Sequence, residues 1–258
     1  MIVAQITDMH IKRRGHVLHH MPHVAQPLHR VLGMIAELQP KPDYIIATGD
    51  LTESGTHAEY VRLREILDDH PTVPIYLLPG NHDRCEPLRD VFWDHEYLRE
   101  SPHGVLFTIE TRSLRTIALD SSDEGRPGGY LSEARIEWLC RRLRERPNTP
   151  TILALHHPPF PTGIARCDRQ QFEGRASLAR TAQMHPQIRR IICGHVHQPL
   201  AARWHGTIGV TAPSTAPTLA LHPSAIGLSW EPGGFLIHRY EQDTGLTTTL
   251  CRAATKQV

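Results

Sequence analysis

The sequence predicts an α/β domain, and three observations carry that expectation. Short apolar runs alternate with amphipathic stretches over the first two thirds of the chain, the pattern of βα units. Clusters of Asp, Asn and His follow directly on several of those apolar runs. From about residue 200 the pattern changes to apolar runs joined by Gly-containing turns, as in antiparallel strands.

The candidates for buried strands are Ile2–Ile6, Tyr44–Ala47, Ile75–Leu78, Val105–Ile109, Thr116–Leu119, Thr151–Leu155 and Ile188–Cys193. Helical stripes lie between them. Leu28, Val31, Leu32 and Ile35 recur at the spacing of one helix face. Tyr60, Leu63 and Leu67 do the same behind a capping box of Thr56 and Glu59. Ile136, Leu139, Cys140 and Leu143 form a third stripe, opened by Ser132. Late in the chain, Leu200–Trp204, Thr207–Thr211, Phe235–Tyr240 and Thr247–Cys251 read as antiparallel strands. The expectation is one domain over residues 1–258 whose sheet acquires antiparallel strands late. Phe107, Trp138, Trp204 and Trp230 sit in apolar patterns and are expected in the core. Lys12–Gln26 and Pro158–Ala176 are long enough to be functional loops.

Composition narrows the function. A chain of 258 residues can bury a core without disulfide or metal staples. With 28 basic and 27 acidic residues the formal charge is +1, which excludes holding a nucleic-acid polymer by bulk electrostatics. No apolar run reaches the roughly 18 residues of a membrane span. The start, Met1-Ile2-Val3-Ala4-Gln5-Ile6-Thr7-Asp8, lacks the basic region of a signal peptide, so a cytoplasmic location is expected. Five cysteines with no CxxC indicate neither a disulfide framework nor a thiolate zinc site. Histidine is the unusual residue, with 19 copies, and it is the commonest metal ligand.

Five polar clusters follow apolar runs: Asp8-Met9-His10, Gly49-Asp50, Gly80-Asn81-His82-Asp83, His156-His157-Pro158-Pro159 and Gly194-His195-Val196-His197. Ligands of open α/β sheets bind outside the carboxyl ends of the strands, so these clusters are expected at one edge. Carboxylate and imidazole suit Mn, Fe, Co or Zn. Pairs such as Asp8/His10 and His195/His197 would point the same way from extended backbone. Asp50 could bridge two cations about 3.5–4 Å apart, the spacing of hydrolytic two-metal sites. Two divalent cations set against Asp8, Asp50 and one hydroxide leave roughly +1, a sign that attracts a phosphate ester.

The five clusters, in this order, resemble those of the calcineurin-like metallophosphoesterases. Within that family they look like the bacterial class III cyclic-nucleotide phosphodiesterase and glycerophosphodiesterase group. The resemblance spans residues 8 to 197. It implies a four-layer α-β-β-α sandwich of two mixed sheets and a centre of two divalent metal ions. Asp8, His10 and His197 would hold the first ion. Asn81, His156 and His195 would hold the second, with Asp50 between them. His82 would contact the phosphate and protonate the leaving alkoxide, with Asp83 orienting its ring. The implied reaction is attack by a metal-activated hydroxide on a small phosphodiester. A phosphomonoesterase or phosphonate ester hydrolase is the alternative, and a non-catalytic scaffold of the same fold a more distant one. A homodimer or larger homo-oligomer is left open.

Singly, each cluster has an ordinary reading as a polar turn. Jointly, five turns would all have to choose ligand-type residues. His157, next to the matching His156, is expected to support rather than ligate. His16, His19, His20, His23 and His29 are expected to be loop residues, with His20 the one that borders the substrate. Arg13 and Arg14 are phosphate contacts by charge, or a solvated loop. Thr211-Ala212-Pro213-Ser214-Thr215 resembles a stretch that approaches the active site in the cyclic-nucleotide members of this group.

Overall fold

The polar clusters need strands that end together, and two mixed β-sheets packed face to face supply them. The computed structural model describes residues 1–15, 25–70, 73–215, 221–222, 225–226 and 233–252. Its elements are β1 (Ile2–Ile6), α1 (Gln26–Glu37), β2 (Tyr44–Thr48), α2 (His57–Asp68), β3 (Ile75–Leu78) and α3 (Cys85–Val91). A 3-10 turn at Glu96–Arg99 leads to β4 (Leu106–Glu110), β5 (Arg115–Leu119), α4 (Glu133–Glu145), β6 (Thr151–Ala154), α5 (Ala165–Asp168), α6 (Arg175–Met184) and β7 (Ile188–Cys193). The chain continues through β8 (Leu200–Trp204), β9 (Thr207–Thr211), β10 (Leu221–His222), β11 (Ala225–Ile226), β12 (Gly234–Glu241) and β13 (Gly245–Arg252).

One large sheet has the order β13-β12-β1-β2-β3 and a second β4-β5-β6-β7-β9-β8, while β10 and β11 pair antiparallel by themselves. The two mixed sheets that the resemblance implies are present, whereas the single sheet read from the strand pattern is not. The strands after β3 do not extend the first sheet; they start a second one behind it. The late antiparallel strands divide between the two. β12 pairs antiparallel with β1, and the β8–β9 hairpin joins the second sheet with β9 parallel to β7. At that hairpin His205 and Gly206 both take positive φ, which suits a two-residue turn.

Alternation along the strands builds the four layers. On β5, Ile117 and Leu119 pack with Leu139 and Leu143 of α4 and Leu178 of α6, while Ala118 turns into the core shared with the first sheet. The stripe on α1 is buried as expected. The Thr56–Glu59 capping box is formed, and the Ser132 hydroxyl accepts from the Arg135 amide at 3.3 Å. Trp138, Trp204 and Phe107 are buried; Trp230 lies outside the described residues. Helices α3, α5 and α6 were not expected. The buried face of α6 is Leu178, Ala179, Thr181 and Ala182, too small and too polar to show as an apolar stripe.

Polar side chains also tie the two sheets. The Tyr44 and Thr116 hydroxyls meet at 2.6 Å across the sheet interface. Deeper, the Gln5 amide nitrogen donates to Thr48 Oγ1 and to the Cys193 carbonyl, both at 2.9 Å. The buried His238 on β12 donates from Nε2 to Gln5 Oε1 at 3.0 Å, and its Nδ1 accepts from the Thr248 hydroxyl at 3.0 Å. Burial, and then the charge of Arg190, lowers the His238 pKa to about 3. Among the described residues, no helix is long and apolar enough to cross a membrane.

Two outcomes follow. Gln5→Leu leaves the His238 N–H without its acceptor, at roughly 1–3 kcal/mol for the orphaned group, and leaves the Cys193 carbonyl with the Ala212 amide as its remaining donor. Urea unfolding should show a lower midpoint with an unchanged slope. An unfolded histidine binds a proton near pH 6.5, whereas folded His238 resists protonation until about pH 3. Its neutral form therefore contributes fully above pH 6.5, and that contribution is lost as pH falls toward 3. Between pH 6 and 4 the wild type should lose up to about 1.4 kcal/mol per pH unit more than His238→Gln. Parallel losses in the two proteins would assign the acid sensitivity to other groups.

Candidate metal centre

The five clusters converge on the edge where β1, β2, β3, β6 and β7 end, each in the loop that follows its strand. The backbone there is unusual. Among the described residues, six non-glycine residues have positive φ, and five of them are Asp8, His10, Asp50, His195 and His197, at 46° to 70°. Left-handed backbone costs an L-residue about 1–3 kcal/mol and persists only where surroundings impose it. Asp8 and His10 thus do not share a face through extended backbone, as the x-spacing suggested. Left-handed residues turn both inward instead, and His195 and His197 repeat the device.

The imposing contacts are backbone hydrogen bonds between loops. The Asp8 amide donates to the Gly49 carbonyl and the His10 amide to the Asp50 carbonyl, both at 3.0 Å. The Gly194 amide donates to the His156 carbonyl at 3.0 Å. Two glycines permit the close approach. A Cβ at Gly80 would sit 2.3 Å from Asp50 Oδ1, and one at Gly194 would sit 2.0 Å from Thr7 Oγ1. The Thr211–Thr215 stretch reaches the centre from behind: Ser214 Oγ donates to the Asp8 carbonyl at 2.6 Å and the Thr215 amide to the Thr7 carbonyl at 3.1 Å.

Two groups of donor atoms result. In the first, His197 Nε2 lies 3.3 Å from Asp8 Oδ1 and 3.2 Å from His10 Nε2, with Asp50 Oδ2 3.7 Å from His10 Nε2. In the second, Asn81 Oδ1 lies 3.2 Å from His156 Nε2 and 3.0 Å from His195 Nδ1, with Asp50 Oδ1 3.3 Å from His156 Nε2. The two oxygens of Asp50 therefore face different groups.

The other ring nitrogens point outward to acceptors. His10 Nδ1 donates to Glu53 Oε2 at 2.8 Å, His156 Nδ1 to the Thr48 carbonyl at 2.8 Å, and His195 Nε2 to Gln170 Oε1 at 2.5 Å. An imidazole whose outer N–H is so held presents a lone pair inward. Inward lone pairs about 3 Å apart repel unless a proton or a cation lies between them. The donor set, carboxylate oxygens and imidazole nitrogens with one amide oxygen, fits divalent cations of the Mn, Fe, Co and Zn kind.

Electrostatics agree. Burial alone would raise Asp8 and Asp50, but His197 and His156, the leading counter-influences on each, hold both carboxyls below their usual range. Burial opposes the charge of His156, yet the Asp50 and Asp8 carboxylates raise its pKa to about 9. His195 goes the other way, to about 3, through burial and then the charge of His156.

Like Asn81, His195 and His197, His82 is partly exposed. Its ring stands edge-on to His10 at 4.8 Å, its Nδ1 donates to the Glu53 carbonyl at 2.8 Å, and its amide donates to Asp50 Oδ1 at 3.0 Å. Asp83 does not orient that ring, which corrects the expectation. Its carboxylate turns into the core and accepts from the Leu51, Thr52 and Gly80 amides and the Tyr60 hydroxyl, at 2.9 to 3.1 Å. Burial, and then the charge of Asp50, raises its pKa to about 6. Asp83 thus fixes the loop after β2 to the loop after β3.

His157 bonds through Nδ1 to Ser121 Oγ at 3.0 Å and packs against the rings of His156 and His195. Arg14 pairs with Glu65 at 2.9 Å on the surface, which favours the solvated-loop reading. His16, His19, His20 and His23 lie outside the described residues. Sequence reasoning missed Glu53 and Gln170. Glu53 was open to detection as an acid three residues beyond Asp50; Gln170 carried no signal beyond its place in a loop already singled out.

A family model described as calcineurin-like phosphoesterase matches residues 1–199. A probable glycerophosphodiester phosphodiesterase GpdQ of Arcobacter nitrofigilis is 36% identical over 255 residues, covering 96% of this chain and 92% of that one. The 3',5'-cyclic adenosine monophosphate phosphodiesterase CpdA of Escherichia coli is 31% identical over 252 residues, covering 98% and 90%. A dimetal phosphatase from Danio rerio, 12% identical, shares the fold with a TM-score of 0.71, covering 98% of this chain and 99% of that one. Every strand end that feeds the convergent edge falls within the matched residues, and the chain belongs to the calcineurin-like phosphoesterase family.

Proposed function

We propose that this protein is a binuclear metal-dependent phosphodiesterase acting on small phosphodiesters, a cyclic nucleotide or a glycerophosphodiester. The observation that carries the reading is the tethering of outer ring nitrogens, which aims the inner lone pairs of His10, His156 and His195 at shared points. The names of the two relatives support the substrate class. In this reading Asp8, His10 and His197 hold one divalent cation, and Asn81, His156 and His195 hold the other. Asp50, which faces both groups, would serve both ions. Protons now shared between His156 and Asp50 would leave as the ions enter.

When bound, two such cations lower the pKa of water and offset charge on the phosphoryl oxygens. The chain's own part lies with His82. Its Nδ1–H is held by the Glu53 carbonyl, so as an imidazolium it can give its Nε2 proton to a leaving alkoxide and be left as the Nδ1–H tautomer that carbonyl holds. Glu53 acts through its carbonyl on His82 and through its carboxylate on His10. Asp83 positions loops rather than substrate. The five unpaired thiols suit a reducing compartment, and we place the protein in the cytoplasm as one domain.

Protein loaded with Mn²⁺ or Co²⁺ should hydrolyse bis(p-nitrophenyl) phosphate faster than p-nitrophenyl phosphate. A reversed preference would favour a phosphomonoesterase. Asp50→Ala or Asn81→Ala should lower turnover of the diester at least about 100-fold, the upper range for losing support of a metal site. Absence of turnover with either metal and every small diester tried would refute the reading. Glu53→Gln keeps an acceptor for His10 and preserves the His82 contact, so it should cost less than Glu53→Ala in a kcat comparison.

A further inference from the structure

Gln170 lies outside the five clusters, on the segment between β6 and α6, and its side chain nevertheless reaches into the centre. Resting on the binuclear reading, we propose that Gln170 is the positioning residue of the second metal position: its side-chain carbonyl holds His195 as the Nε2–H tautomer, so that Nδ1 offers its lone pair beside Asn81 and His156.

The geometry leaves little choice of proton. His195 Nε2 is 2.5 Å from Gln170 Oε1, and its Nδ1 is 3.0 Å from Asn81 Oδ1. A neutral imidazole has one N–H for these two oxygens. With the proton on Nδ1, the Nε2 lone pair would face the Gln170 oxygen at the shorter distance. With the proton on Nε2, that short contact becomes a hydrogen bond. The Nδ1 lone pair then joins Asn81 Oδ1 and His156 Nε2 in a set that a cation relieves. Gln170 therefore does for His195 what Glu53 does for His10 and the Thr48 carbonyl does for His156.

The segment is built to hold Gln170 in place. On its N-terminal side Asp168 accepts from the Thr162 amide at 2.8 Å, the Thr162 hydroxyl at 2.8 Å and the Gly163 amide at 2.9 Å. The Gln170 amide donates to the Cys167 carbonyl at 3.0 Å. On its C-terminal side the Glu173 amide donates to the Gly129 carbonyl at 2.8 Å, and the Leu131 amide donates to the Glu173 carbonyl at 2.9 Å. The close seat requires glycine, since a Cβ at Gly128 would lie 2.1 Å from the Gln171 carbonyl oxygen. Gln170 thus comes from a braced turn. Among the described residues its side chain bonds His195 and not Asp8, His10 or His197, so its influence should be confined to one of the two positions.

The test compares wild type, Gln170→Leu and Gln170→Glu, each stripped of metal and titrated with Mn²⁺ by calorimetry. The His195 tautomer is read by ¹⁵N NMR on the metal-free proteins, with His195→Gln to assign the resonance. The wild type should take two ions and show the Nε2–H form. Gln170→Leu should bind the first ion as the wild type does, bind the second about 10- to 100-fold more weakly, and show Nδ1–H signal. Gln170→Glu, which keeps an acceptor, should restore both readouts; Gln170→Met repeats the loss if the leucine variant misfolds. Unchanged second-ion affinity and tautomer in the apolar variants would overturn the role of Gln170, as would equal weakening of both ions. A wild type that binds fewer than two ions would sink the binuclear reading instead, and the metal-free NMR comparison would still decide the tautomer.

Discussion

Lone pairs crowd one edge of this molecule, and much of the fold serves to keep them there. Carboxylate oxygens, an amide oxygen and imidazole nitrogens stand about 3 to 4 Å apart, a density that electrostatics alone would disperse. Five of the residues that carry them also adopt left-handed backbone. The opposing forces come from elsewhere in the chain. Asp83 gathers amides from two loops, Ser214 and Thr215 pull on the loop after β1, and Gln5 stitches β1 to β7 from below. Strain at the edge is tolerated because the strands beneath it are buried on both faces and cannot yield.

A second layer of contacts decides which atom of each ring is offered inward. Glu53 and the Thr48 carbonyl from one stretch of the chain, and Gln170 from another, perform one task, accepting the outer N–H of an imidazole. Glu53 and Thr48 flank Asp50 in sequence, so the loop that carries the shared carboxylate also orients one histidine of each group. This economy links the two groups mechanically: a shift of the loop after β2 would disturb both at once.

Much of the site was legible in the sequence because each cluster directly follows an apolar run. A strand end is therefore readable without knowing its partners. The Thr56–Glu59 box and the Ser132 cap were legible for a similar reason, since they are local chemistry. The partition into two sheets was legible through the family resemblance and not from the strand pattern itself. Buried strands of either sheet look alike, and only long-range pairing tells β3 from β4 as neighbours. The part played by Asp83 was misread because adjacency to His82 says nothing of side-chain direction after a turn. Helix α6 hid behind Ala and Thr, and Gln170 behind a segment without periodicity. Contacts made over long sequence separations leave no local trace, and most of the supporting interactions here are of that kind.

The place of β1 between β2 and β12 has a consequence for how the chain matures. β1 is made before β2, which soon covers one of its flanks. Its other flank must wait for Gly234–Glu241, and the loop behind it must wait for Ser214 and Thr215. Through most of translation the nascent polypeptide holds an open strand edge, a surface prone to stray pairing and a reason for folding to lag synthesis. The ion-binding edge is accordingly a property of the finished chain, completed by residues that take no part in it.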